Sequence, residues 1–190
     1  MASSQPVIQY FPMRIIRGKY QRRQIHAPAN LPVRPTTDMA KESLFNILEN
    51  QLDFPDIDAL DLFSGTGNIA FELASRGCQS VLAIDQNKAC VQFIKDTIKQ
   101  LEMDNLHVIR MDVFKFLPGT PQQFDLIFAD PPYDSNHYEL LAELILESNL
   151  LKPDGILVIE HSANIDYSTK PCFSALRNYG RVHFSFFNKP

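Results

Sequence analysis

Asp58-Ala59-Leu60-Asp61-Leu62-Phe63-Ser64-Gly65-Thr66-Gly67-Asn68-Ile69-Ala70 is the stretch on which the fold turns. Residues 58–63 have strand character, two glycines interrupt them, and Asn68-Ile69-Ala70-Phe71-Glu72-Leu73-Ala74-Ser75 continues as a helix that Gly77 ends. Glycines in a strand-to-helix turn permit a tight bend and close approach of backbone to a ligand. The helix start adds a positive end. Downstream the same rhythm repeats. Strands are predicted over 80–85 (SVLAID), 106–111 (LHVIRM), 124–130 (FDLIFAD) and 155–160 (GILVIE). Helices are predicted over 87–102, with Ala89, Phe93, Ile94 and Ile98 on one face, and over 135–150, followed by a turn at LKPDG. The runs LIFA and ILVI are apolar without alternation, as in strands buried on both faces. The expected fold is therefore α/β, a mostly parallel sheet with helices on both faces.

The two ends depart from this rhythm. Residues 172–180 and 181–188 read as two strands around Tyr179-Gly180, an antiparallel hairpin closing the sheet. Phe184, Phe186 and Phe187 there read as core rather than a stacking platform. Near the start, 13–17 and 22–26 are short β-prone runs around Gly18, so a small N-terminal β-hairpin is expected. A Pro-rich connector follows, and Thr37 or Asp38 caps a helix with apolar positions at Met39, Leu44, Phe45, Ile47 and Leu48. The division expected is a basic arm over 1–37 and a main domain over 38–190.

Composition narrows the class. A chain of 190 residues fits one domain, a monomer is expected, and no apolar run approaches the length of a membrane span. The first residues lack a charged start and an apolar segment, so no secretory signal is read there. Cys78, Cys90 and Cys172 are odd in number and far apart, which argues for reduced thiols, a cytoplasmic protein and no structural zinc. The five histidines lack metal spacing, and no metal is expected. The net charge of −4 hides an asymmetry: residues 1–37 carry Arg14, Arg17, Lys19, Arg22, Arg23, Arg34 and no acid, whereas the rest holds 12 basic and 22 acidic residues. A basic arm on an acidic body suits a polyanionic partner, or else is a solvated hairpin without one.

The glycine loop admits two cofactors. Gly65-Thr66-Gly67-Asn68-Ile69-Ala70 also satisfies the dinucleotide pattern G-x-G-x-x-G/A, with Asp85 placed 20 residues after Gly65. Asp61 separates them, because a carboxylate at the loop repels a pyrophosphate but suits the ammonium and sulfonium of S-adenosylmethionine. The cofactor set is then Asp61, Phe63, Ser64, Gly65, Thr66, Gly67, Asp85 and Gln86. Asp85 accepts from the ribose hydroxyls of either cofactor. Asp112 either holds an adenine amine, with Val113 as a backbone donor, or caps a helix.

Asp130-Pro131-Pro132-Tyr133 ends a buried strand. Consecutive prolines there remove ladder donors and stiffen the chain. Methylation of an aromatic amine needs such a group. Asp130 and the Pro131 carbonyl can accept the amine's two N–H bonds and turn its lone pair towards a methyl donor, while Tyr133 stacks on the base. A plain Pro-Pro turn explains the tetrad alone, but not its pairing with a glycine loop at a second strand end.

Strand-helix alternation closed by a hairpin resembles the class I methyltransferase fold. With Met13-Arg14-Ile15-Ile16-Arg17-Gly18, Arg34-Pro35-Thr36-Thr37-Asp38 and Lys41-Glu42-Ser43-Leu44-Phe45-Asn46, the chain closely resembles the bacterial enzymes that make N2-methylguanine in 16S ribosomal RNA, from about residue 13 to 187. The resemblance implies S-adenosylmethionine at Asp61 to Gly67 and at Asp85, and the guanine amine at Asp130 to Tyr133. It also implies ribosomal RNA or a small-subunit particle as partner, with the hairpin as RNA-contacting arm and Arg34 to Thr37 near the cofactor mouth. Two alternatives stand beside it. A DNA or protein-glutamine amino-methyltransferase uses a similar tetrad, although a dedicated DNA enzyme would normally carry an extra target-recognition region. A nicotinamide-dependent oxidoreductase uses the loop but leaves the tetrad unexplained.

Overall fold

The computed structural model describes residues 10–28, 31, 36–132 and 138–190. A hairpin of β1 (Tyr10–Arg14) and β2 (Gln24–Pro28) precedes α1 (Asp38–Leu48). Then come β3 (Asp58–Leu62), α2 (Asn68–Ser75), β4 (Ser80–Asp85), α3 (Lys88–Leu101), β5 (Leu106–Arg110), α4 (Val113–Phe116) and β6 (Phe124–Ala129). The chain closes with α5 (Tyr138–Glu147), β7 (Leu151–His161), β8 (Phe173–Tyr179) and β9 (Val182–Asn188).

The strand order is β5-β4-β3-β6-β7-β9-β8. Strands β3 to β7 pair in parallel, and β9 runs antiparallel to both neighbours. Strand parity explains the layers. Ala59, Val81, Ala83, Leu126, Phe128, Ile156 and Val158 pack with α1, α2 and α3. Leu60, Leu62, Ile84, Ile127, Leu157 and Ile159 pack on the other face with α4 and α5. The connection leaves β3 towards β4 on one side, while β6 lies on the other. The sheet therefore switches direction between β3 and β6, where open α/β sheets leave a cleft at the strand ends.

The hairpin strands lie farther from Gly18 than expected, because residues 15–23 form a wide turn that packs against α2. Glu72 of α2 accepts from the backbone N–H groups of Ile16 (2.8 Å) and Arg17 (3.1 Å), and the Ser75 carbonyl accepts from Lys19 N–H (2.7 Å). At Gly18, φ is +89° and a Cβ would stand 1.8 Å from the Ser75 carbonyl oxygen, so this approach requires glycine. Met13, Ile15, Tyr20, Ile25 and Ala27 join the core shared by α1 and α2.

Three local expectations need correction. Thr37 caps α1 by accepting from Ala40 N–H, but the buried face is Ala40, Lys41, Leu44, Phe45 and Leu48, leaving Met39 70% exposed. On α3, Ile94 is buried and Phe93 and Ile98 pack against the core as expected, but Ala89 is exposed and Cys90, Val91 and Thr97 complete the buried face. LKPDG is no free turn: it begins β7, with Asp154 at positive φ where the β6–β7 register shifts. Phe184, Phe186 and Phe187 are buried, as expected.

Candidate active site

The glycine loop is built by its own backbone. Gly67 N–H donates to the Ser64 carbonyl (2.7 Å), and the Ser64 hydroxyl bonds to the Asp61 and Ile84 carbonyls (2.7 and 3.1 Å). Phe63, Gly65 and Gly67 all have positive φ. Thr66 is buried, and Phe63 meets Phe114 edge to face. A Cβ on Gly67 would stand 3.0 Å from Phe71 and Ile94, so that glycine answers helix packing as well as the turn.

Four acids surround this loop at the carboxyl ends of β3, β4, β6 and β7. Asp61 is almost fully buried and accepts from Ala70 N–H (3.1 Å). Burial pushes its carboxyl up to about 8, against the pull of that N–H. Asp85 accepts from Gly65 N–H at one oxygen and from Asn87 N–H at the other, both at 2.7 Å, which locks its plane. Burial still raises it. Asp130 is half-buried, and its N–H donates to the Leu62 carbonyl (3.3 Å). Burial first, then the charges of Glu160 and Asp61, hold its carboxyl well above the usual carboxylate range. Glu160 is buried, accepts from the Thr36 hydroxyl (2.9 Å), and is pushed by burial up to about 7.

Among the described residues, none of these four acids is in an ion pair. Asp61 and Asp85, which face the glycine loop without a protein cation beside them, fit a cationic ligand and disfavour a pyrophosphate, while Asp130 and Glu160 stand side by side one strand further on. S-adenosylmethionine, with a sulfonium and an ammonium, fits this set. At the neighbouring strand end Asp112 caps α4, and both capping bonds, from Phe114 and Lys115 N–H, fall on Oδ1. Its Oδ2 and the Val113 N–H have no hydrogen-bond partner among the described residues. An acceptor beside a donor matches an adenine amine beside a ring nitrogen, so cap and ligand roles are compatible on one side chain. Gln86 turns its side chain to solvent, and its carbonyl accepts from Arg110.

Pro131 is buried and Pro132 exposed, while Tyr133 and Arg34 lie outside the described residues. Arg14, Arg17, Lys19, Arg22 and Arg23 are all exposed around the hairpin turn. The arm is less isolated electrostatically than its sequence suggests. Arg14 pairs with Asp38 (3.4 Å) and Arg17 with Glu49 (2.7 Å), both acids from the α1 region. Such exposed pairs contribute about 0–1 kcal/mol, so a phosphate can replace either acid. Glu160 is marked by no motif in the sequence, and Thr36 is placed near the site there by the resemblance alone. The signal present was an acid closing the apolar run Ile156 to Ile159, beside the strand that carries the tetrad.

Asp85→Ala is expected to weaken S-adenosylmethionine binding by roughly 10- to 150-fold, the worth of a charge-assisted bond of about 1.5–3 kcal/mol, with Asp85→Glu milder. Isothermal titration checks this, and an unchanged affinity for the Ala variant removes the ribose role.

Known proteins carry the same architecture. The ribosomal RNA small subunit methyltransferase D of Haemophilus influenzae is 32% identical over 152 residues, 78% of each chain. Its namesake in Escherichia coli is 29% identical over 161 residues, 84% of this chain and 79% of that one. Among solved structures, the Thermus thermophilus 16S rRNA N2 G1207 methyltransferase, in complex with AdoMet and guanosine, superposes with a TM-score of 0.74 at 19% identity, over 97% of this chain and 52% of that one. The class I methyltransferase fold follows, and the oxidoreductase alternative falls away. The model of the family described as conserved hypothetical protein 95 matches residues 13–188, hairpin and sheet alike; the chain belongs to that family and is an S-adenosylmethionine-dependent methyltransferase.

Proposed function

We propose that the chain transfers a methyl group from S-adenosylmethionine to N2 of a guanine in small-subunit ribosomal RNA, in the cytoplasm. The observation that carries this reading is Asp130. Its backbone is tied to β3, its carboxylate has no hydrogen-bond partner among the described residues, and two prolines follow it at the sheet's switch point. When bound, S-adenosylmethionine supplies an electrophilic methyl group. Asp61 and the loop from Phe63 to Gly67 hold its charged end, Asp85 its ribose, and Asp112 with Val113 its adenine. Asp130 accepts from the exocyclic amine and aims the nitrogen lone pair, with the Pro131 carbonyl as second acceptor and Tyr133 as stacking partner. After transfer the methylated nitrogen is cationic and gives its proton to Asp130 or solvent, so no strong general base is required. The base must enter unstacked, as a flipped or single-stranded nucleotide. Mass mapping of nucleosides in small-subunit rRNA from a deletion strain tests the reading. One N2-methylguanine should disappear, and an unchanged set of N2-methylguanines overturns it.

In this reading the exposed arginines and lysine of the hairpin grip RNA phosphates and leave chemistry to the cleft. Arg22→Ala with Arg23→Ala is expected to weaken RNA binding at low salt and flatten the log–log salt slope by about one or two units. S-adenosylmethionine affinity should not change. Filter binding across a salt series measures this, and an unchanged slope means RNA is held elsewhere.

A further inference from the structure

Two acidic side chains stand side by side at the carboxyl end of the sheet. Strands β6 and β7 pair in parallel with Ala129 opposite Ile159, so the next residues along them, Asp130 and Glu160, are neighbours across the ladder. Glu160 is only 3% exposed. One of its oxygens accepts from Thr36, and its Oε1 has no hydrogen-bond partner among the described residues. Thr36 is itself fixed from behind. Its carbonyl accepts from Asn68 Nδ2 (2.9 Å), Asn68 Oδ1 accepts from Lys41 Nζ (2.7 Å), and Lys41 also donates to the Arg14 carbonyl (2.7 Å). The cleft thus presents two adjacent acceptors that repel each other, held in place by a hydrogen-bonded line reaching back to the hairpin. Such an arrangement is costly unless a ligand brings two adjacent donors.

We propose that Glu160 determines the choice of guanine: it accepts from N1–H of the target base while Asp130 accepts from the N2 amine, and Thr36 is the positioning residue that aims it. This rests on the guanine-N2 reading above. Guanine alone among the four bases has a ring N–H next to its exocyclic amine. Adenine and cytosine place an acceptor nitrogen beside theirs, and uracil flanks its N–H with two carbonyls. A glutamine side chain offers an amine beside a carbonyl only. In their ionised form two neighbouring carboxylates therefore satisfy guanine and leave the other candidates with an acceptor facing an acceptor. Leaving a buried polar group unpaired is what gives hydrogen-bonded pockets their selectivity.

The test replaces guanine by 2-aminopurine, which keeps the N2 amine but has an acceptor at N1. Small-subunit particles are reconstituted with rRNA carrying either base at the position mapped in the deletion strain, and kcat/KM is measured for each. The unaltered protein should prefer guanine by at least about a hundredfold. Glu160→Gln, whose amide can donate to N1, should lose on guanine and gain on 2-aminopurine, closing the gap to within about tenfold. Thr36→Val should lower kcat/KM on guanine roughly tenfold, and Thr36→Ser should restore it. Equal losses on both bases, or no loss on guanine, overturn the proposal. If Glu160→Gln fails to fold, the Thr36 variants decide, and an unchanged kcat/KM for guanine in Thr36→Val overturns it. Absence of N2-methylguanine from the unaltered protein's product sinks the guanine-N2 reading and this inference with it. Formation of N2-methylguanine with unaltered base preference in Glu160→Gln sinks the inference alone.

Discussion

Asp130→Ala is expected to lower kcat/KM for RNA methylation by about 10²–10³-fold, the usual worth of one pre-oriented electrostatic contact to a reacting group. S-adenosylmethionine affinity should stay within a few-fold, since the proposed partner of Asp130 is the target amine and not the cofactor. The same substitution should stabilise the ligand-free protein. Burial and the charges of Glu160 and Asp61 raise the Asp130 carboxyl, and removing it relieves a cluster that resists ionisation. The sign is set by linkage. Asp61 moves from 3.8 up to about 8 and Glu160 from 4.5 up to about 7, so the folded state keeps protons that the unfolded chain releases at lower pH. The stability these groups contribute is fully present below about pH 4 and is lost as pH rises through 7 and 8. The melting midpoint of the ligand-free protein should fall over that range, and less steeply in Asp130→Ala. Calorimetry across pH, with single-turnover kinetics, checks both halves. Equal losses of cofactor affinity and rate would place Asp130 in the wrong part of the cleft.

Glu72→Ala should destabilise the fold by about 3–5 kcal/mol, the cost of stranding one side of a buried ion pair. Glu72 is fully buried, and it accepts from two hairpin N–H groups and from Arg76 Nε (2.8 Å), with Lys41 Nζ at 3.7 Å. Lys41 and Arg76 are also buried, and desolvation already lowers the Lys41 ammonium. Arg76 has further contacts, to Glu49 and over the Phe45 ring at 4.5 Å, but its buried Nη2 has no hydrogen-bond partner among the described residues. Without Glu72, Lys41 loses its paired acid, Arg76 keeps Glu49 alone, and the hairpin loses its seat on α2. A fall in melting midpoint on the order of 10 °C should follow, with protease cutting within residues 15–23 well before global unfolding. A midpoint within about 2 °C of the parent would mean that the apolar contacts of Met13 and Ile15 alone hold the hairpin. Glu72→Gln, which keeps the volume and one acceptor, should lie between the two.

The element pattern was legible because period and punctuation are local properties. Gly65 and Gly67 break a strand, Gly77 ends a helix, and the apolar runs before Asp130 and Glu160 mark strands covered on both faces. The errors arose where partners distant in sequence decide. Met39 and Ala89 are apolar residues on helices, but in each case the next residue, Ala40 or Cys90, faces the core instead. The LKPDG segment contains turn residues, yet pairing of Leu151 with Phe124 draws it into β7. The basic arm was visible as charge, whereas the pairing of Arg14 with Asp38 and of Arg17 with Glu49 depends on how α1 lies against it.

By itself the sequence determined the alternation of strands and helices, the two motifs at strand ends, and the chemistry that an acid beside a glycine loop and an Asp-Pro-Pro tetrad can perform. These follow from residue type and short spacing. Only the tertiary structure decided that Glu160 stands next to Asp130, that Thr36 donates to it, and that a buried line through Asn68 and Lys41 joins this pair to the hairpin. The physical reason is that a carboxylate's role is set by its burial and by which donors and charges surround it, and those neighbours here come from positions 30 to 124 residues away along the chain.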